Sequence, residues 1–365
     1  MYTRIAALNR IGTKICIFLI SILLFFPNQV FSQINFSITS CDSSRNILYK
    51  KADSAILSKE FGEIHSLVII ENGSLIFERY YCGWTHDSVH QLQSATKSVV
   101  ATLLGCAIQQ KLITRTSSSI NNYFPQSYLK GVYKNSISVE HLLTQQHGLK
   151  WNELDFGSEN NSWRRILSTQ GDWYKSILQT PMDTTPGTIF NYSNAAPVLI
   201  VGIIQIASKM PIDKFAERYL FEPLNIQKYK FWEGNGGPQN NGMALLYLTS
   251  RDMAKLGQLY LQNGQWNNVQ ILPADYIKDA ISPKVRNVGA NGIYSGYDYG
   301  YFWWINPVWK QLKQGQMIPN IFLARGAGGQ NIIIWPEKKI VVVITGWNID
   351  KPNKPEEIFD KYIAY

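Results

Sequence analysis

"HQLQSATKSVVATLLGCAIQQ", His90 to Gln110, holds a lysine where a lysine is expensive. Thr96 to Ala107 carries almost nothing but apolar and small residues, with apolar positions on most sides of a 3.6-residue repeat. That pattern predicts a buried central helix. Lys97 stands at its head, three residues after Ser94. Residues three apart share a helix face, so Lys97 points back toward Ser94. Burial disfavours an ammonium and lowers its pKa. A lysine tuned in this way accepts the serine proton, and the positive end of the helix favours the alkoxide that results.

Spacing alone decides little. A second Ser-x-x-Lys occurs at Ser127-Tyr128-Leu129-Lys130, after Pro125 in a polar stretch that leads into no apolar helix. It reads as surface loop. Context singles out Ser94 and Lys97.

Two further segments join the first. "FNYSNAAP" (190–197) places Tyr192, Ser193 and Asn194 at the start of another apolar helix, about a hundred residues on. A phenol beside a lysine can lose its proton more readily and relay protons. Asn194 is suited to hold the lysine and a substrate carbonyl. "ARGAGGQ" (324–330) lies between apolar strand residues, where glycines admit another backbone closely. A backbone N–H there can join that of Ser94 as an oxyanion hole. The run departs from the dinucleotide-binding pattern, with Asn331 at the last glycine position and a strand following. The chain has no Gly-x-Ser-x-Gly elbow and no His-Glu-x-x-His, and its five histidines form no metal-ligand pattern, so no metal or cofactor is expected.

The rest of the chain supplies the frame. "HSLVIIENGSLIFERYYCGW" (65–84) reads as a hairpin turning at Asn72-Gly73. A helix over 47–61 precedes it. Helices are expected at 138–149, capped by Ser138, at 193–210 with Pro197 in the first turn, and at 249–264. Strands return at 299–305, 319–335 and 339–347. The expected fold class is α+β: one antiparallel sheet built from both chain ends and flanked by helices, with an inserted all-helical lobe. We place the α/β lobe at about 33–115 and 240–365, and the helical lobe at about 116–239. The cleft between them is the natural ligand site.

Residues 1–32 read as a secretory signal peptide. Arg4, Arg10 and Lys14 precede a run of twelve residues (15–26) that is apolar but for Ser21, and Val30 and Ser32 mark a cut after Ser32. Twelve residues are short for a bilayer span, so no stable membrane anchor is expected after cleavage. The mature protein is expected to be secreted or periplasmic. Cleavage lowers the net charge from +9 to +6, with no basic run of the kind that binds nucleic acid. Cys41, Cys82 and Cys106 remain. An oxidising compartment permits a Cys41–Cys82 bridge without requiring it, and Cys106 falls on the buried helix.

Together "LQSATKSVVATLLGCAI", "SVEHLLTQQHGLKW", "FNYSNAAPVLIVGII", "LTSRDMAKLGQLYLQNGQW" and "GAGGQNIIIWPEKKIVVVITG" resemble the serine β-lactamase and penicillin-binding-protein superfamily. The resemblance is to its class C-like branch of esterases, D-amino-peptide hydrolases and 6-aminohexanoate-dimer hydrolases, and it runs from about residue 65 to about 347. It implies a β-lactamase-like fold and a serine hydrolase acting through an acyl-enzyme. Ser94 takes the place of the nucleophile, and Lys97 and Tyr192 those of its proton-handling partners. The backbone N–H groups of Ser94 and Ala327 form the oxyanion hole. Asn194, Gly326, Gly328 and Gln330 line the substrate, a small molecule or a peptide-like chain carrying an ester or amide. A departure stands in the third motif: Ala324-Arg325-Gly326 replaces Lys-Thr-Gly. The lysine that holds a β-lactam carboxylate is missing, which argues against efficient lactamase activity. A β-lactamase or D-Ala-type peptidase, and a non-catalytic binding protein of the same fold, are the alternative readings.

Overall fold

A computed structural model describes residues 34–39, 43–131, 133–153, 155, 157–231, 245–288, 296–305, 320–349 and 354–364. The expected leader over 1–32 and Cys41 lie outside the described residues.

The first described helix is α1 (Ser43–Leu57). It leads into the hairpin of β1 (Ile64–Glu71) and β2 (Ser74–Tyr80). Asn72 and Gly73 both take positive φ, +50° and +75°, as a tight two-residue turn with two left-handed positions requires. The short β3 (Val89–Gln91) runs into a single 3-10 turn, Gln93–Ala95, and then α2 (Thr96–Gln109). Twelve of the fourteen α2 residues are buried, Lys97 among them.

The chain then forms mostly short helices: α3 (Val139–Leu143), α4 (Ser162–Ser168), α5 (Trp173–Leu178), α6 (Ala195–Ser208) and α7 (Ile212–Ala216). Ser138 caps α3 as expected, through a reciprocal pair of bonds with His141, but the helix stops at Leu143 rather than near Gly148. β4 (Tyr229–Phe231) and β5 (Leu246–Thr249) form a small sheet with β3. Next come α8 (Ser250–Leu261), capped by the Thr249 hydroxyl, the two-residue pair β6 (Gln265–Trp266) and β7 (Val269–Gln270), and α9 (Ala274–Ala280). The chain ends in β8 (Val285–Val288), β9 (Tyr297–Tyr299), β10 (Trp304–Ile305), β11 (Phe322–Gly326), β12 (Gln330–Trp335), β13 (Ile340–Gly346) and α10 (Glu357–Tyr362).

The eight-stranded sheet runs β2-β1-β13-β12-β11-β10-β9-β8, and every pair is antiparallel. The N-terminal hairpin therefore docks on the last strand, Leu67 opposite Ile344 and Ile69 opposite Val342. The α+β architecture with a sheet drawn from both chain ends is as expected. One strand is not. Residues 299–305 form two short strands around a tight bend, because Phe302 adopts φ +58° and a side chain on Gly300 would strike the Ala280 carbonyl.

Helix α8 lies on the sheet at Gly257, where a Cβ would come 2.5 Å from Val341 and 3.1 Å from Ile332. α2 packs against α6, beside α9 and behind β11. Its hydroxyls fix its depth: Ser98 Oγ donates to the Phe302 carbonyl at 2.7 Å, and Thr96 Oγ1 accepts from the Leu246 N–H at 3.2 Å. Ser94 and Lys97 are thus presented at the head of a helix held on several sides.

Candidate active site

Ser94 sits in the 3-10 turn that opens α2. Gln93, just before it, has φ +50°, a left-handed backbone that costs a non-glycine residue about 1–3 kcal/mol. Leu92 anchors this turn from below, its N–H on the Leu246 carbonyl at 2.8 Å and its own carbonyl accepting from the Ala95 N–H at 3.1 Å. Gly326 of β11 presses on the same place. A Cβ there would collide with the Leu92 carbonyl oxygen, so only glycine lets the two backbones meet. That contact brings the Ala327–Gly329 turn alongside the segment carrying Ser94.

Lys97 is 4% exposed. Its Nζ donates to Ser94 Oγ at 3.2 Å and to Asn194 Oδ1 at 2.6 Å. The Tyr192 ring lies beneath it, 4.6 Å from Nζ to the centroid. Burial pushes the Lys97 pKa down to about 8, against a weaker upward pull from the Glu153 carboxylate. The Tyr192 phenol is hydrogen-bonded to Ser94. Burial drives its pKa well up, with Ser94 and Arg325 pulling it back only in part. This corrects the expectation of a lysine-acidified phenol. Burial is the larger effect and wins. Tyr192 therefore rests as a neutral phenol, able to donate a proton.

Two residues without a role in the sequence reading hold the Tyr192-Ser193-Asn194 segment. Gln145 donates to the Ser193 carbonyl at 3.0 Å and accepts from the Ser193 N–H at 3.1 Å. His147 Nδ1 accepts from the Leu149 N–H at 3.1 Å, which leaves Nε2 as the protonated nitrogen, 2.9 Å from Ser193 Oγ. Burial keeps this imidazole neutral, its pKa pushed down to about 4.

A third is Glu153, 6% exposed. Its Oε2 accepts from Trp151 Nε1 at 2.7 Å and from the Asn194 backbone N–H at 2.6 Å. Burial raises its pKa, with Lys97 and both donors opposing. Nothing local marks Glu153 in the sequence. It falls in a Trp-rich stretch without helix or strand periodicity, and its burial comes from residues distant in the chain.

The glycine-rich segment divides. Gly326 meets the nucleophile's turn, and Ala327 follows it. Gly328, φ +78°, offers its carbonyl to the Asn348 N–H at 3.0 Å. Gln330 is placed differently from a substrate contact. It is 1% exposed, and its amide donates to the Gly346 carbonyl, so it braces the turn from inside the sheet. Ala324 is fully buried. Arg325 Nη2 donates to Glu356 Oε1 at 3.0 Å, and the guanidinium lies 5.7 Å from the Tyr297 ring centroid. Tyr297, Tyr299 and Trp304 continue an aromatic wall to Tyr192, whose ring is 5.7 Å from that of Trp304.

A buried amine bonded to a serine hydroxyl, with a neutral phenol on the same oxygen, is equipped to make a nucleophile at neutral to mildly alkaline pH. Comparison with known proteins agrees in kind. The beta-lactamase family profile matches residues 65–364. The 6-aminohexanoate-dimer hydrolase of Paenarthrobacter ureafaciens is 22% identical over 304 residues, spanning 77% of this chain and 72% of that protein. Among solved structures, EstCE1, a hydrolase with promiscuous acyltransferase activity, superposes with a TM-score of 0.71 at 15% identity, over 88% of this chain and 100% of that one. A penicillin-binding protein homologue from Caulobacter crescentus gives 0.68 at 13% identity, over 89% and 97%. The fold is β-lactamase-like.

Proposed function

The chain belongs to the beta-lactamase family of serine hydrolases, and from that premise we propose that it cleaves an ester or amide through an acyl-enzyme on Ser94. The observation that carries this reading is the Lys97 amine, buried and 3.2 Å from Ser94 Oγ. The neutral amine takes the Ser94 proton as Oγ attacks the substrate carbonyl. The N–H groups of Ser94 and Ala327 receive the oxyanion. Tyr192, a phenol on the same serine, hands a proton to the leaving group and is refilled from Lys97. The leaving alcohol or amine departs, water attacks the acyl-enzyme by the reverse route, and Ser94 regains its proton.

The class of substrate follows from what the third motif lacks. Ala324 stands where a carboxylate-holding lysine would, and the Arg325 charge is already met by Glu356. We therefore favour neutral small-molecule or peptide-like esters and amides over β-lactams and D-Ala peptides. The leader over 1–32 supports a secreted or periplasmic enzyme.

Hydrolysis of p-nitrophenyl butyrate by the purified protein, beside Ser94→Ala, tests the reading. Activity that disappears in the variant supports it. Activity that survives in the variant, or is absent from both proteins, overturns it.

A further inference from the structure

Glu153 has no part in the acyl-enzyme scheme, yet its carboxylate is built into the wall beside it. Its Oε2 takes two donors, the Trp151 indole and the Asn194 backbone N–H. The side chain of that same Asn194 takes the Lys97 ammonium, and Lys97 reaches Ser94. The order is therefore carboxylate, Asn194 backbone, Asn194 amide, lysine, nucleophile, without a break. Asn194 also occupies the residue before α6, fourteen residues long, so the carboxylate on its backbone N–H stands at the positive end of that helix. Among the described residues no cation makes a direct ion pair with Glu153. Its charge acts on Lys97 across the asparagine.

We infer that Glu153 is a positioning residue and the fixed counter-charge for Lys97: it orients Asn194 and makes the buried amine a stronger base toward Ser94. This rests on the proposed function. A buried amine by itself is a weak base, since the ammonium it forms on taking a proton lacks solvation. A negative charge on the far side of Asn194 stabilises that ammonium in the step where it appears. A direct ion pair would instead hold the lysine protonated. The interposed amide gives Lys97 a neutral acceptor and keeps the charge one residue away.

The charged and titratable groups around this line are few. Lys97 comes from α2 and Tyr192 from the segment before α6. Arg325 comes from β11 with its partner Glu356, and His147, behind Ser193, is held neutral by burial. Among the described residues, Glu153 is the one that acts on Lys97 with opposite sign.

The test is the pH dependence of kcat/KM for p-nitrophenyl butyrate, with the rate of Ser94 labelling by a fluorophosphonate as a second readout of the same ionisation. Both donors meet one oxygen of Glu153, so Glu153→Gln can keep them on its carbonyl oxygen while it removes the charge. Its acidic limb is expected about one pH unit below that of the wild type, with the plateau lowered only about threefold, as for a weaker base. Glu153→Asp keeps the charge and shortens the reach, so its limb stays while kcat falls. Melting curves show which variants are folded. A folded Glu153→Gln with the wild-type limb overturns the inference. If Glu153→Gln does not fold, a limb displaced to lower pH in Glu153→Asp overturns it instead. A wild type that neither hydrolyses the ester nor is labelled sinks the proposed function first, and this inference with it.

Discussion

Lys97 Nζ lies closer to Asn194 Oδ1, at 2.6 Å, than to Ser94 Oγ, at 3.2 Å. An amide oxygen only accepts, so one N–H of Lys97 is always committed to it. In the neutral amine this leaves the lone pair for the Ser94 hydroxyl. Asn194 thus orients the base without competing for its proton.

Replacing Asn194 by Asp changes that acceptor into an anion. The ammonium is then held directly, and the Lys97 pKa rises from about 8. The acidic limb of kcat/KM is expected near pH 8 in the wild type and about 1–3 pH units higher in Asn194→Asp, opposite in sign to Glu153→Gln. A wild-type profile already flat from pH 6 to 9 would contradict this assignment of the base.

Lys97 weakens the fold that it serves. Its pKa falls from 10.5 in the open chain to about 8 in the folded one, about 3 kcal/mol of penalty. The unfolded chain binds the proton more tightly, so the penalty is complete below about pH 8, shrinks as pH rises, and is gone above 10.5. Lys97→Met should therefore lose activity yet melt higher than the wild type at pH 7. Part of the gain is offset by the uncompensated Glu153. The difference in Tm should narrow between pH 8 and 10.5. A Tm difference that ignores pH would show that burial of the ammonium is not its source.

Tyr192→Phe separates the ring from the hydroxyl. The ring keeps its place under Lys97 and against Trp304, so Tm should stay within about 2 °C, while the bond to Ser94 is lost. We expect kcat to fall about 10²–10⁴-fold, the range of a lost proton donor. The remaining activity should keep the wild-type acidic limb, since that belongs to Lys97. A variant retaining most of its kcat would remove Tyr192 from the proton path.

Acid should destabilise the protein through two buried imidazoles. His147 titrates at about 4 and His90 at about 3 in the fold, against 6.5 when exposed, both lowered chiefly by burial. Between pH 6.5 and 4 the unfolded chain takes up protons that the native state refuses, so stability falls as pH falls through that window. His147→Gln, which retains an amide near Ser193, should flatten the fall of Tm there by the share of one histidine, about 3 kcal/mol at most. Equal slopes in the two proteins would mean that His147 is not buried neutral.

The parts legible in the sequence are those carried by local rules. The Asn72-Gly73 turn, the apolar repeat of α2 and the three-residue step from Ser94 to Lys97 each depend on a handful of neighbouring residues. What escaped depends on distant contacts. Glu153 matters because Trp151 and Asn194 close over it, and no pattern in residues 151–155 announces that. Tyr192 was misjudged for the same reason: its pKa is raised by burial, which comes from how the fold closes around it. The bend at Gly300 answers to Ala280, twenty residues earlier in the chain.

Gly326 tests whether the third motif works through its backbone. A Cβ at this position meets the Leu92 carbonyl oxygen and approaches Gln93 Cβ and Gln330 Cβ to 3.1 Å each. The atom in the way is backbone and cannot rotate aside. That carbonyl also closes the Ser94 turn through the Ala95 N–H, so the strain of Gly326→Ala passes straight to the nucleophile. Overpacking of this kind costs about 1–3 kcal/mol, and a shift of about 1 Å at a reacting atom costs about 10²-fold in rate. Gly326→Ala should therefore melt several degrees lower and lose about 10² in kcat with a smaller change in KM. Gly83→Ala is the control: φ there is +79° and no heavy atom comes within 4 Å of the added carbon. It should cost about 1 kcal/mol of stability through backbone strain alone and leave kcat intact. If the two variants lose stability alike and both keep kcat, β11 is a neighbour of the nucleophile and not part of its machinery.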